Sequence, residues 1–181
     1  EPKAAIEALN YRFKEHGVGY QYEGGKIIRV DATFIHSELV KPVISLLANR
    51  KFSGAQDEFL RAHECYRHGD HKTCVNECLK AFESTLKTIC KEMKWLVDPD
   101  APAKKLIEAC LTNELIPSYL QDQYTQLRQL LTSGVPTLRN KESGHGQGSE
   151  IKEVPNYLAS YALNLTATSI MFLVKAYEAK A

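Results

Sequence analysis

The chain has 181 residues, 44% of them hydrophobic and 25% charged, with a net charge of +1. That length suits one domain, or a domain with a small appendage, and the apolar share suffices for a sizeable core. The near-balanced charge excludes a global basic field, so any nucleic-acid contact must come from a local patch. Five cysteines, Cys65, Cys74, Cys78, Cys90 and Cys110, all fall inside helical patterns. An odd count without a secretory signal reads as reduced thiols in a cytoplasmic protein, packed as small hydrophobes. The opening Glu1-Pro2, without a Met, fits a fragment of something longer.

Residues 3–16 predict a helix that stops at Gly17. From Tyr20 to Val30, two β-prone runs joined through Gly24-Gly25 predict a tight hairpin. Asp31 is positioned to cap a helix running to about Asn49, kinked or split at Pro42. Residues 1–51 are therefore expected to form a helix, a hairpin and a kinked helix that pack on a core domain at 52–181. Ser53 and Gln56 have capping-box spacing, and Ala55, Phe59, Ala62, His63 and Tyr66 share one helical face. Gly69 ends that helix and Asp70 starts the next. Its stripe of Val75, Cys78, Leu79, Phe82, Leu86, Ile89, Cys90 and Met93 is the clearest helical signal in the chain.

Asp98-Pro99-Asp100 reads as a loop, and Pro102 suits the first turn of a helix to about Asn113. Leu120, Tyr124, Leu127, Leu130 and Leu131 mark another helix, stopped by Gly134. Val135 to Lys141 is expected to form a short helical turn, and Ser143 to Ser149 a glycine-rich loop. The last helix starts near Pro155, with Leu158, Tyr161, Ala162, Leu165, Ser169, Phe172 and Ala176 as its expected buried face. Val154 to Val174 is 21 residues without a charge, long enough for a membrane span. Asn156, Ser160, Asn164, Thr166, Thr168 and Ser169 recur through it, so a buried helix is the better reading. The fold class is mainly α: an antiparallel helical bundle with a small N-terminal β-hairpin.

One segment concentrates chemistry: Leu138-Arg139-Asn140-Lys141-Glu142-Ser143-Gly144-His145-Gly146-Gln147-Gly148. Its glycines let the backbone turn sharply and bring His145 back toward Arg139. Arg139-Asn140 followed, after four residues, by His145 resembles the signature of the HEPN superfamily. The string 139–148 is similar to the C-terminal domain of abortive-infection (Abi-C) proteins. So are Ala81-Phe-Glu-Ser-Thr-Leu-Lys87 and Ala62-His-Glu-Cys-Tyr-Arg-His-Gly-Asp70. The resemblance covers roughly 52–178, and Gly19 to Arg29 resembles the segment that precedes this domain in one branch of the family.

The resemblance implies a metal-independent endoribonuclease of a bacterial phage-defence system, a toxin that works without a cofactor. It implies a homodimer whose two short motifs face one cleft, with RNA as substrate and an antitoxin or regulatory partner. No membrane or DNA contact is implied. The residue types suit the reaction, because RNA carries its own nucleophile in the 2′-hydroxyl. His145 can move a proton near neutral pH, and Arg139 forks onto two phosphate oxygens. Asn140 orients the histidine or holds the phosphate. Lys141 adds positive charge, with Gly144 and Gly146 shaping the loop. The alternative is a non-catalytic RNA-binding or protein-interaction module of the same superfamily.

Other constellations rank lower. Cys65, His68, His71 and Cys74 have metal-like spacing but straddle a helix end and a turn, so the two histidines are expected to be solvated. Glu83 and Lys87 suit a surface i, i+4 ion pair, or, with Ser84, polar support for the Arg139 site. Gly144-x-Gly146-x-Gly148 lacks the strand and Lys-Ser/Thr ending of a phosphate loop. Tyr11, Tyr20 and Tyr22, near Lys26 and Arg29, are better read as packing the hairpin than as stacking on bases.

Overall fold

The computed structural model describes residues 2–16, 19–29, 39–98, 100–133 and 154–180. Helix α1 (Pro2–Glu15) leads to strands β1 (Tyr20–Glu23) and β2 (Lys26–Arg29). The strands pair antiparallel with Glu23 opposite Lys26. Gly24 and Gly25 lie at φ +56° and +85°, the two positive angles a type I′ turn demands. Gly24 is also held close: a Cβ there would meet Leu60 at 3.3 Å. Ile28 is fully buried and Lys26 Nζ reaches Glu64 at 3.3 Å, so the hairpin is seated on the bundle. On its outer side, the Asn10 amide pairs twice with the Tyr22 backbone: Nδ2 donates to the carbonyl at 2.9 Å, and Oδ1 accepts from the N–H at 2.6 Å.

Helix α2 (Lys41–Leu47) has Pro42 in its first turn, where a missing N–H costs nothing. The expected helical start at Asp31 lies outside the described residues. A 3₁₀ turn (Arg50–Phe52), capped by Asn49, runs directly into α3 (Ser53–Arg67). The Ser53–Gln56 capping box does not form. The Ser53 N–H already donates to the Arg50 carbonyl inside that turn, so Ser53 is not the first residue to meet solvent.

At the other end of α3, Gly69 lies at φ +78°. Its N–H donates to Tyr66, and that of Asp70 to Cys65, which is a Schellman closure. Asp70 then caps α4 (His71–Glu92) through a bond to its Oδ1 from Thr73 N at 3.0 Å. The same closure ends α4 and α5 (Ala103–Thr112), but with side-chain-bearing residues, Lys94 at φ 57° and Glu114 at φ 55°. A second 3₁₀ turn (Ser118–Leu120) leads to α6 (Gln121–Ser133), and α7 (Asn156–Lys180) follows. Helix α4 is the hub: α3, α5, α6 and α7 all pack on it. Phe59, Phe82, Leu86, Ile89, Ile170 and Leu173 are buried completely there. All five cysteines are free thiols; Cys74, Cys78, Cys90 and Cys110 are buried in the core.

The buried face of α7 matches expectation at Ala162 and Ser169 and differs elsewhere. Ala159, Leu163, Thr166, Ile170, Leu173 and Tyr177 are buried, whereas Tyr161 is 55% exposed and Leu158, Leu165, Phe172 and Ala176 are only half-buried. The helix is apolar nearly all round, so periodicity alone does not set its rotation. By length and composition α7 passes as a candidate membrane span, with a mean hydropathy of 1.4 in its most apolar window. Half of that window is buried inside the bundle.

Candidate functional site

Arg139, Asn140, Lys141, Gly144, His145 and Gly146 fall between Ser133 and Val154 and lie outside the described residues. Where the described chain resumes, at the start of α7, a polar cluster has formed at the α3–α4 turn. The ring of His71, first residue of α4, lies with Nδ1 2.8 Å from the Val154 carbonyl. A carbonyl only accepts, so Nδ1 carries a proton and donates it to Val154. Tyr66 donates its hydroxyl to Asn156 Oδ1 at 2.7 Å. The rings of Tyr66 and His71 are tilted together at 5.7 Å, and the Arg29 guanidinium sits 5.5 Å from the Tyr66 centroid, a cation–π distance. Arg67 and His68 touch at 2.8 Å on the exposed side.

The structure thus brings Arg29, Tyr66, His71 and Asn156 together from four elements. His68 is exposed as expected, but His71 is half-buried and engaged, because the start of α7 covers it. The Cys65, His68, His71 and Cys74 side chains do not converge, since His71 faces Val154 while Cys74 is buried beside Cys78. Among the described residues no group of three His, Cys, Asp or Glu could hold a metal ion. Tyr11 is exposed, whereas Tyr20 and Tyr22 are half-buried against their neighbours.

The three supporting residues on α4 are half-buried and do separate things. Ser84 faces Glu58 on α3, close enough to act on its carboxyl. Burial pushes the Glu58 carboxyl above its ordinary range, Ser84 pulls it down and Glu77 adds a further upward push. Glu58 Oε2 is buried without a hydrogen-bond partner among the described residues. Glu77 itself is buried and paired with Lys80 at 2.7 Å. Glu83 and Lys87 are not within 4 Å of each other as an ion pair, although both are described. Sixteen residues of helix separate Lys87 from His71, about 24 Å at 1.5 Å per residue. Lys87 instead lines a groove of about 440 Å³ between the end of α4 and α5. A second groove, about 340 Å³, runs between α6 and α7 past Tyr124, Leu127, Tyr161 and Leu165.

Sequence reasoning missed the Arg29–Tyr66–His71–Asn156 cluster. Its available signal was Tyr66 and His71 flanking a Gly-Asp turn, with an Asn directly after Pro155.

A family model, Abi_C, described as a HEPN-like domain, matches residues 53–177. No curated protein and no solved structure gives a match.

Proposed function

Because the chain belongs to the Abi_C family of HEPN-like domains, we propose that it is a metal-independent endoribonuclease acting in phage defence through Arg139, Asn140 and His145. One observation carries this reading: the Arg139–His145 string lies inside the matched stretch, between the two long helices α6 and α7. The polar, cationic end of the bundle where α7 begins supports it, because Arg29 and Arg67 add positive charge at the place where the chain resumes after that string.

In the proposed reaction the 2′-hydroxyl of RNA attacks the adjacent phosphorus and the 5′-oxygen leaves. His145 takes or gives the proton, and Arg139 stabilises charge on the phosphate oxygens. Asn140 orients the imidazole or the phosphate, and Lys141 adds charge. Two copies of the chain pair so that their motifs share a cleft, with an antitoxin or regulatory partner restraining the toxin.

The purified chain should cleave RNA in EDTA. His145→Ala should lower that rate by ~10²–10⁴ if it transfers a proton. Arg139→Ala should lower it by ~10²–10³, as removal of one oxyanion donor does. Undiminished cleavage by a folded His145→Ala chain removes His145 from the reaction. RNA binding without cleavage by the parent chain favours the non-catalytic module.

A further inference from the structure

The groove between the end of α4 and α5 is lined by Lys87, Lys91, Lys94 and Trp95, with Val97 and Leu106 among its apolar walls. Five other lysines pair with acids, Lys26 with Glu64, Lys51 with Glu92, Lys80 with Glu77, and Lys104 and Lys105 with Glu108, whereas Lys3, Lys14, Lys41, Lys72 and Lys175, spread over separate elements, have no acid within 4 Å among the described residues. Lys87, Lys91 and Lys94 have no acidic partner within 4 Å among the described residues. Lys87 and Lys91 stand one helical turn apart, an arrangement in which like charges repel. The acid on the groove wall is Asp98, and its Oδ1 already accepts from the Asp100 N–H at 2.8 Å. The hydroxyl of Thr88 is committed to the Ser84 carbonyl.

Lys94 adds a third ammonium group to the same wall. It occupies the left-handed position of the α4 closure, which glycine fills at no steric cost and which Gly69 fills at the end of α3. Glu114 fills the same position at the end of α5 without lining this groove, so the strain alone gives Lys94 no role; its place on the groove wall does. Trp95 is half-buried, its ring packed on the core while also lining the groove, and a flat ring beside unpaired ammonium groups suits a base next to its phosphate. The volume matches a small-ligand site.

We infer that this groove binds one nucleotide of single-stranded RNA, its phosphate among Lys87, Lys91 and Lys94 and its base on Trp95. The choice of RNA over an acidic peptide rests on the ribonuclease reading above. At about 24 Å along α4 from His71, the groove would hold a strand at a distance from the bundle end where α7 begins.

Trp95 is the single tryptophan of the chain, so its emission reports on this groove alone. The experiment titrates the full chain carrying His145→Ala, which keeps the RNA intact, with hexauridylate at low salt. Saturable quenching is expected. Lys91→Gln should weaken it and reduce the salt slope by about 1, as removal of a phosphate-binding lysine does. Lys94→Gly should do the same while melting at a higher temperature, so weaker binding there is not loss of fold.

No quenching, or quenching undiminished in both variants, overturns the proposal. Uridine monophosphate tested alone separates the sources: equal affinity assigns the groove to a free nucleotide, and weaker affinity to a strand, each with a nucleotide in the groove. Quenching by polyglutamate with none by either nucleotide overturns it. RNA cleavage by the parent chain without quenching removes only the groove. Quenching without cleavage removes only the ribonuclease reading.

Discussion

Lys94 and Glu114 do a job that Gly69 does more cheaply. A Cβ in the left-handed region crowds the neighbouring carbonyl, and glycine escapes that at the cost of a floppier unfolded chain. Lys94→Gly and Glu114→Gly should each stabilise the fold by about 0.5–1 kcal/mol, a rise in Tm of ~1–4 °C on a thermal melt. Equal gains at both sites would show backbone strain as the cause, because Glu114 is remote from the lysine groove. Asp70 behaves differently because its carboxylate caps a helix. The bonds from Thr73 hold its pKa below the ordinary value, so the cap favours the fold above the unfolded pKa near 3.9 and its contribution fades as pH falls through the folded pKa. Asp70→Ala should cost about 1 kcal/mol at pH 7 and much less in acid, whereas Asp70→Asn should keep the cap at both pH values. Glu58 has the opposite sign. Burial raises its pKa, so the unfolded chain releases that proton first and stability declines as pH rises through the interval from the unfolded to the folded pKa. Glu58→Gln, which retains an oxygen for Ser84, should raise Tm at pH 7 and leave it nearly unchanged at pH 3.5.

Elements differed in how openly the chain spelled them. α4 was readable because its apolar positions fall on one stripe and its polar ones on the other. Even so, buried Glu77 and Thr85 broke the pattern, the first rescued by Lys80 and the second by the Ala81 carbonyl. α7 was readable as a helix but not in rotation, since apolar residues circle it and only contact with α4 decides which side faces in. The capping box at Ser53 failed because a 3₁₀ turn had already satisfied the donor that such a box serves. The Arg139-Asn140 and His145 string stood out by residue type alone. The cluster of Arg29, Tyr66, His71 and Asn156 did not, because these residues are far apart in sequence and meet only when the hairpin and α7 close on the α3–α4 turn. His71→Ala should loosen that closure: amide exchange in the first turn of α7 should quicken while the middle of α4 stays protected. Unchanged exchange there would mean that Val154 is held by packing rather than by the imidazole.

At the scale of the molecule, a central helix wrapped by four others makes stability cooperative, so most core changes should be felt as a single transition. The hairpin is the exception, a two-stranded ribbon with an outer edge that no third strand covers among the described residues. Asn10 fills that place with one side-chain amide, which mimics a peptide group and occupies both backbone groups of Tyr22. Isolated ribbon edges recruit whatever strand comes near. A version of the chain that begins after residue 16 would therefore keep its bundle but present a vacant rung, and should self-associate as concentration rises, visible as growing particle mass in light scattering. In that sense α1 acts less as a brick in the fold than as a stopper against polymerisation.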